Sequence, residues 1–260
     1  MTTVLESVEL EPVEIDLLCE FAEVRPPFPL RIPSTGRTEI ERLAAFRAAR
    51  ERLGRRGLSG HRGPLGLAQN FVRLLRSGLG AVDVILESEG RRLAAVAVLD
   101  ESRALLVTQS DGPVRLAELP VDELAAELRA SLPVVSAGIV PGFTLPVGPL
   151  RLAFARMSGQ RHVRLSAAEI DELLRESGVD ELAAARLVNN LRQVDGQGQL
   201  GAARWSGGWR RLGAEVHWLD TPRGRFRLGE DGGLASVEPF TADDLRDTLA
   251  EFTDRVRSWP

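Results

Sequence analysis

Gly198-Gln-Leu-Gly-Ala-Ala-Arg-Trp205 and Val216-His-Trp-Leu-Asp-Thr-Pro-Arg-Gly-Arg-Phe-Arg-Leu228 are the stretches that decide the fold of this chain. Apolar and polar residues alternate along the second stretch, which is the two-residue period of a β-strand. Asp-Thr-Pro-Arg-Gly interrupts the alternation with turn-forming residues. Strands joined by tight turns pair antiparallel, so these stretches predict part of an antiparallel sheet.

The same order of elements occurs twice along the chain. Helices precede four predicted strands in each half, and one helix follows them. The closing pieces are alike, because Val121-Asp-Glu-Leu124 and Ala242-Asp-Asp-Leu245 each follow an Asp-Gly turn and a strand. We therefore predict an α+β fold built from duplicated halves, residues 1–133 and 150–260, joined by a Pro/Gly-rich crossover at 134–149. The predicted strands are 81–87, 92–99, 103–108, 114–119, 198–205, 214–219, 224–228 and 234–238.

Composition limits the class of protein. All 33 basic residues are arginine, and the net charge is −4, which argues against a general nucleic-acid-binding protein. The single cysteine, Cys19, lies among apolar residues and predicts a buried side chain rather than a disulfide or a metal cluster. The N-terminal residues lack a secretory signal pattern, so the expected location is the cytoplasm. Prolines and glycines interrupt the uncharged stretch 130–150, so we expect no membrane insertion.

No catalytic, cofactor or metal site is predicted from the motifs. Gly196-Gln-Gly-Gln-Leu-Gly201 matches a dinucleotide-binding fingerprint in letters, but here it follows a helix and opens a strand, the reverse of the required context. The chain lacks the lysine of a phosphate-binding loop and has no Gly-x-Ser-x-Gly elbow. Its histidines, His61, His162 and His217, are far apart in sequence.

An arginine cluster around the second predicted helix has two interpretations. It could bind phosphate, but Glu51 lies between its arginines and it has no aromatic stacking partners. A solvated helix face is the preferred interpretation. The cluster consists of Arg47, Arg50, Arg52, Arg55, Arg56 and Arg62.

The C-terminal strands supply the candidate partner-binding face. Val216 and Trp218 fall on one side of their strand, and Phe226 and Leu228 share a side of the next. Pairing the strands through the turn predicts one apolar and one charged face. The charged face is either ordinary solvated surface or part of a protein interface. Its candidate contact residues are Glu215, His217, Arg223, Arg225 and Arg227.

Two tryptophans form a second candidate contact. Trp205 and Trp209 flank Ser206-Gly-Gly208, so they are expected at the tip of a hairpin. An indole exposed there would be costly unless a partner covered it.

At these positions the sequence resembles the EspG family, proteins associated with ESX (type VII) secretion in actinobacteria. The resemblance is carried by Gly198-Gln-Leu-Gly-Ala-Ala-Arg204, by Trp218-Leu-Asp-Thr-Pro-Arg-Gly-Arg-Phe226 and by Ile32-Pro-Ser-Thr-Gly-Arg-Thr-Glu39. It extends in element order across nearly the whole chain.

The resemblance implies an antiparallel sheet core flanked by helical bundles, with quasi-twofold halves. It also implies a cytosolic chaperone that binds the PPE partner of a PE–PPE heterodimer, or another helical ESX substrate, and keeps it soluble until export. Partner contact would lie on the sheet and the C-terminal helical bundle. The family brings no cofactor and no catalytic residue.

The residues leave two other functions open. One is a small hydrolase or transferase with a dispersed active site. The other is a structural subunit that forms a homodimer through a sheet edge.

Overall fold

The computed structural model describes residues 6–149, 151, 166–191 and 193–258, and its secondary structure is that of an α+β protein. The α+β prediction is confirmed. The helices are α1 (Pro12–Ala22), α2 (Glu39–Arg55), α3 (Gly66–Ser77), α4 (Leu124–Ala130), α5 (Ala167–Glu176), α6 (Glu181–Leu191) and α7 (Ala242–Ser258). The strands are β1 (Ser7–Leu10), β2 (Ser59–Gly60), β3 (Gly63–Pro64), β4 (Gly80–Ser88), β5 (Arg91–Leu99), β6 (Arg103–Gln109), β7 (Val114–Pro120), β8 (Phe143–Pro146), β9 (Gly196–Trp205), β10 (Trp209–Arg211), β11 (Val216–Thr221), β12 (Gly224–Asp231) and β13 (Leu234–Pro239).

The chain divides into two compact units that are discontinuous in sequence. The first comprises residues 1–132, 200–215 and 246–260, and the second comprises 133–199 and 216–245. Strand β9 and helix α7 therefore contribute residues to both. The units follow packing rather than chain order, so they differ from the halves 1–133 and 150–260. The duplication of those halves stays a prediction.

The first unit contains an antiparallel meander packed against helices. Its strands run in the order β1-β7-β6-β5-β4, and the turn between β4 and β5 places Glu89 and Gly90 at positive φ, as a two-residue hairpin turn requires. Helix α2 begins at a capping box, in which Glu41 N–H donates to the Thr38 hydroxyl and the Glu41 carboxylate accepts from Thr38 N–H. The core consists of buried residues that include Leu18, Phe71, Val96, Leu105 and Leu116.

The second unit pairs β11, β12, β13 and β8 in that order, all antiparallel. Helices α5 and α6 close an apolar core that contains Phe143, Leu174, Ala184, Phe226 and Val237. Strand β8 comes from the predicted crossover 134–149, so that segment is part of a sheet and not only a connection. Its residues alternate between buried and exposed, which is the pattern of a strand with one face in a core.

Cys19 has the environment that its neighbours in sequence predict. The side chain is buried in the first core, and this burial, with a smaller contribution from the charge of Asp16, raises the pKa of its thiol to about 12. A thiol in this state is inert at neutral pH. Separately, none of the helices within the described residues has the length and apolarity needed to cross a membrane.

Candidate partner-binding surface

The register between β11 and β12 corrects the predicted faces. Trp218 lies opposite Arg227 and Asp220 opposite Arg225, and directly opposed residues in antiparallel strands share a face. Trp218 therefore lies on the side of the arginines, while Phe226 lies opposite Leu219 on the other side. The expected pairing is one residue away from the observed one, and a shift of one residue exchanges the two faces. The expectation of one apolar and one charged face is wrong.

Arg225 is an interior residue, which corrects its expected position on an exposed charged face. Only 1% of the residue is exposed, and its Nε and Nη2 donate to the two carboxylate oxygens of Asp220 at 2.6 and 2.9 Å. The guanidinium carbon lies 5.5 Å from the centre of the Trp218 ring. This bidentate pair organises the interior of the second unit, and Arg225 is not available to a partner.

The other two arginines of the β11–β12 hairpin are exposed. Arg227 lies opposite Glu238 on β13, and its guanidinium carbon is 6.0 Å from the centre of the Phe240 ring. Arg223 lies in the turn that joins the strands, where its N–H donates to the Thr221 hydroxyl at 3.1 Å. His217 is exposed on the face that it shares with Leu228.

Two exposed apolar residues that were not predicted as contacts lie in the segment 133–140, and one of them is hydrogen-bonded to this turn. Ile139 N–H donates to the carbonyl oxygen of Arg223 at 3.1 Å, and the Ile139 residue is 74% exposed. Val134, in the same segment, is 85% exposed. The signal was present in sequence, since both residues lie in the uncharged stretch 130–150. That stretch was interpreted only as a crossover. Arg223, Ile139 and Val134 define what we call the turn patch.

The Trp205–Trp209 hairpin belongs to the first unit and is less exposed than predicted. The two residues are directly paired across β9 and β10, and their rings meet edge-to-face with centres 5.3 Å apart. Both residues are half-buried, and Trp209 packs against the first core. The exposed part of the tip is the loop around Gly207. The core therefore covers part of the Trp209 indole, and Trp209 in turn covers part of Trp205, where we expected a partner to cover both.

Glu215 takes part in an ion-pair network within the first unit. Arg211 contacts the carboxylate of Asp83 with both terminal nitrogens, and Glu215 at 3.0 Å. The pKa of Asp83 is raised overall, because burial outweighs the hydrogen bond and charge of Arg211, which lower it. The negative charge of Glu215 adds to the increase. Gly201 leaves room for this network, because a Cβ there would lie 2.6 Å from an Arg211 nitrogen. Glu215 therefore has a partner inside its own unit.

The arginine cluster on α2 is largely occupied by contacts within the chain. Arg52 and Arg56 contact the buried carboxylate of Glu14, each at 3.4 Å. Arg50 donates to the carbonyl oxygens of Gly60 and His61. These arginines hold α2 to its neighbours, in addition to forming the solvated face that was preferred from sequence.

The glycine-rich segment 196–201 lies inside strand β9, in agreement with the interpretation that it is not a dinucleotide-binding loop. Within the described ranges no group of three or more His, Cys, Asp or Glu side chains is arranged to hold a metal ion.

Comparison with known proteins gives a family and a fold. A model of the EspG family matches residues 11–251. No curated protein matches the sequence. Among solved structures the chain is similar to the Mycobacterium tuberculosis type VII secretion system chaperone EspG5, which was solved in complex with a PE25–PPE41 dimer. The TM-score is 0.69 over 98% of both chains at 10% sequence identity, a likeness that establishes the fold alone.

Proposed function

This chain belongs to the EspG family, and on that premise we propose that it is a cytoplasmic chaperone of a type VII secretion system. In this proposal it binds a PPE-like protein of a PE–PPE heterodimer, or another helical substrate of such a system, and keeps it soluble before export. The role requires binding and release only, so no catalytic residue is assigned.

The observation that carries the proposal is the turn patch of the second unit. Large apolar side chains that stay in water are costly, and here Ile139 and Val134 remain exposed in one short segment. Arg223 adds a guanidinium with several donors at the same place. Arginine is enriched among the residues that dominate binding energy, and neighbouring apolar contacts exclude water from it.

A helical client with an apolar tip fits this surface. Burial of Ile139 and Val134 against the tip would remove apolar area from water on both proteins, which is the main driving force of association. Arg223 would select a tip that offers a carboxylate or the carbonyl oxygens at a helix C-terminus. The Trp205–Trp209 hairpin of the first unit is a second candidate contact through its half-buried indoles.

Coexpression with the PE–PPE pairs encoded by the same genome tests the function itself. We expect one pair to copurify with the chain and to stay soluble only in its presence. Failure of every such pair, and of other helical substrates of the secretion system, to form a complex contradicts the proposed function. Sedimentation velocity of the isolated chain tests the alternative of a structural subunit that forms a homodimer.

Substitutions then test the turn patch. Ile139→Glu and Arg223→Glu are expected to weaken the complex roughly thirtyfold each, the size of a hot-spot loss. Ile40→Glu is the matched control, because Ile40 is 81% exposed on helix α2 of the first unit. If Ile139→Glu and Ile40→Glu bind the client equally well, the turn patch is not the contact, although the function stands.

A further inference from the structure

Strand β8 forms an edge of the second unit and has backbone groups that point away from its partner strand. It pairs only with β13 within the described residues, with Thr144 opposite Ser236. Val147, the residue after the end of β8, donates its N–H to the carbonyl oxygen of Gly233 at 2.9 Å. Hydrogen-bonded and non-hydrogen-bonded pairs alternate in antiparallel strands. Val147 and Gly233 form a hydrogen-bonded pair, so Thr144, three residues earlier, belongs to a non-hydrogen-bonded pair with Ser236. The N–H and C=O of Thr144 therefore face outward, away from β13.

These outward groups offer a short, defined template for another strand. In the part of the chain that the structure describes, neither the N–H nor the C=O of Thr144 has a hydrogen-bond partner. Pro146 is the next outward-facing residue and has no N–H to donate. An added strand can therefore exchange both bonds with Thr144 and can donate to the carbonyl oxygen of Pro146, but it accepts no bond from Pro146, which limits the pairing to a few residues.

A cleft of about 470 Å³ lies along this edge. Thr144 and Gly142 line one side, and Leu182 lies in the first turn of α6 on the other side. Leu182 is 62% exposed and offers apolar contact to a side chain in the cleft. The lining also carries the carboxylates of Asp180 and Glu238.

The charges of the cleft favour a cationic occupant. The residues that line the cleft carry two carboxylates, those of Asp180 and Glu238, and one guanidinium, that of Arg186, so the formal balance of the lining is negative. Arg227, opposite Glu238 on β12, is outside this lining. A lysine or arginine side chain entering between the two carboxylates would gain charge complementarity, and an acidic one would be repelled. Flanking β-branched residues would keep the occupant extended.

We propose that this cleft binds a short, extended, cationic peptide segment, which adds as a strand to the outer edge of β8, where the described residues place no strand. Main-chain bonds to Thr144 give affinity, and the contacts with Leu182, Asp180 and Glu238 select the side chains. This site is separate from the turn patch that we assign to the helical client. Failure of either proposal leaves the other standing.

Fluorescence anisotropy of three fluorescein-labelled peptides tests the proposal. The full chain is titrated into each peptide up to about 1 mM, the weak end of the affinity scale. The first is Gly-Val-Lys-Val-Thr-Gly with blocked ends. The second has Glu in place of Lys, and the third has N-methylated backbone amides at both valines. We expect saturable binding of the first, weaker binding of the second and none of the third. No saturable binding of the lysine peptide, or equal binding of the N-methylated peptide, overturns the proposal.

Variants of the chain give an independent test. Thr144→Pro removes the outward N–H without removing a bond to β13, and should weaken the lysine peptide about tenfold, the effect of losing a hydrogen bond. Thr144→Val is the matched control, since it keeps the backbone donor. If Thr144→Pro does not fold, Leu182→Lys at the exposed rim should weaken binding by roughly fivefold through lost apolar contact and repulsion. Equal affinity for the wild-type chain and for whichever of these two variants folds overturns the site.

Discussion

Replacing Arg225 by methionine should destabilise the second unit strongly, because it leaves a buried carboxylate without its partner. Asp220 is 5% exposed, and both of its oxygens accept hydrogen bonds from Arg225, at 2.6 and 2.9 Å. Breaking a buried pair from one side costs about 3–5 kcal/mol, since the remaining charge stays desolvated. The methionine retains much of the apolar stem, so the loss reports mainly on the ion pair.

The expected loss can be converted into a melting shift. Cooperative unfolding of all 260 residues, at about 2.1 cal/mol/K per residue, carries an entropy of about 0.55 kcal/mol/K. A loss of about 3–5 kcal/mol then lowers the melting temperature by about 5–9 °C, which calorimetry or tryptophan fluorescence measures. Arg227→Met is the matched control, because Arg227 lies on the same strand and face but is exposed. We expect it to cost no more than about 1 kcal/mol.

A double variant separates the ion pair from simple packing. Arg225→Met with Asp220→Leu removes both charges, and replacement of a buried pair by apolar side chains is close to neutral. The double variant should therefore be more stable than Arg225→Met alone. The reasoning is refuted if Arg225→Met costs no more than Arg227→Met, or if the double variant is the least stable of the series.

Two further stability predictions follow from single contacts in the second unit. Gly198→Ala should cost about 1–3 kcal/mol by overpacking, because a Cβ there would lie 2.0 Å from the Trp218 ring. Gly208→Ala is the control, since a Cβ at Gly208 would meet no atom within 4 Å, and it should change the melting temperature little. Equal effects of the two substitutions would contradict this reasoning. Thr241→Ala should cost about 1 kcal/mol at neutral pH, because Thr241 precedes α7 and its hydroxyl accepts from Asp244 N–H. The Thr241 hydroxyl also donates to the Asp244 carboxylate at 2.6 Å and lowers the pKa of Asp244, so this second contribution is present above the ordinary carboxyl range and is lost as pH falls through the lowered pKa. The stability difference between wild type and Thr241→Ala in urea titrations should therefore become smaller in acid without vanishing, and a difference that is independent of pH would exclude the contribution of the carboxylate bond.

Local chemistry in the sequence determined the elements of this protein. The capping box at Thr38 sets the start of α2, and the Glu89-Gly90 turn forms the hairpin between β4 and β5. Such signals act over two to four residues and depend little on the rest of the chain. The motifs that carry the family resemblance are local as well, and the family assignment that they supported is confirmed by the match over residues 11–251.

Only the tertiary structure decided which face each strand buries. Alternation in β11 and β12 showed that two faces exist, but the register across the turn at Pro222-Arg223 sets which residues share one. A shift of one residue changed Arg225 from a predicted surface contact into a buried partner of Asp220. Register depends on turn length and on packing between distant segments, neither of which a two-residue period encodes.

The exposed turn patch and the outer edge of β8 depended on tertiary structure for the same reason. Ile139 and Thr144 lie in a segment whose prolines and glycines gave no periodic signal. The roles that we propose for them depend on the pairing of residues 136–146 with β12 and β13, which are about 90 residues later in the chain. Sequence determines what a segment can form locally, while long-range pairing decides which of its groups stay available to a partner.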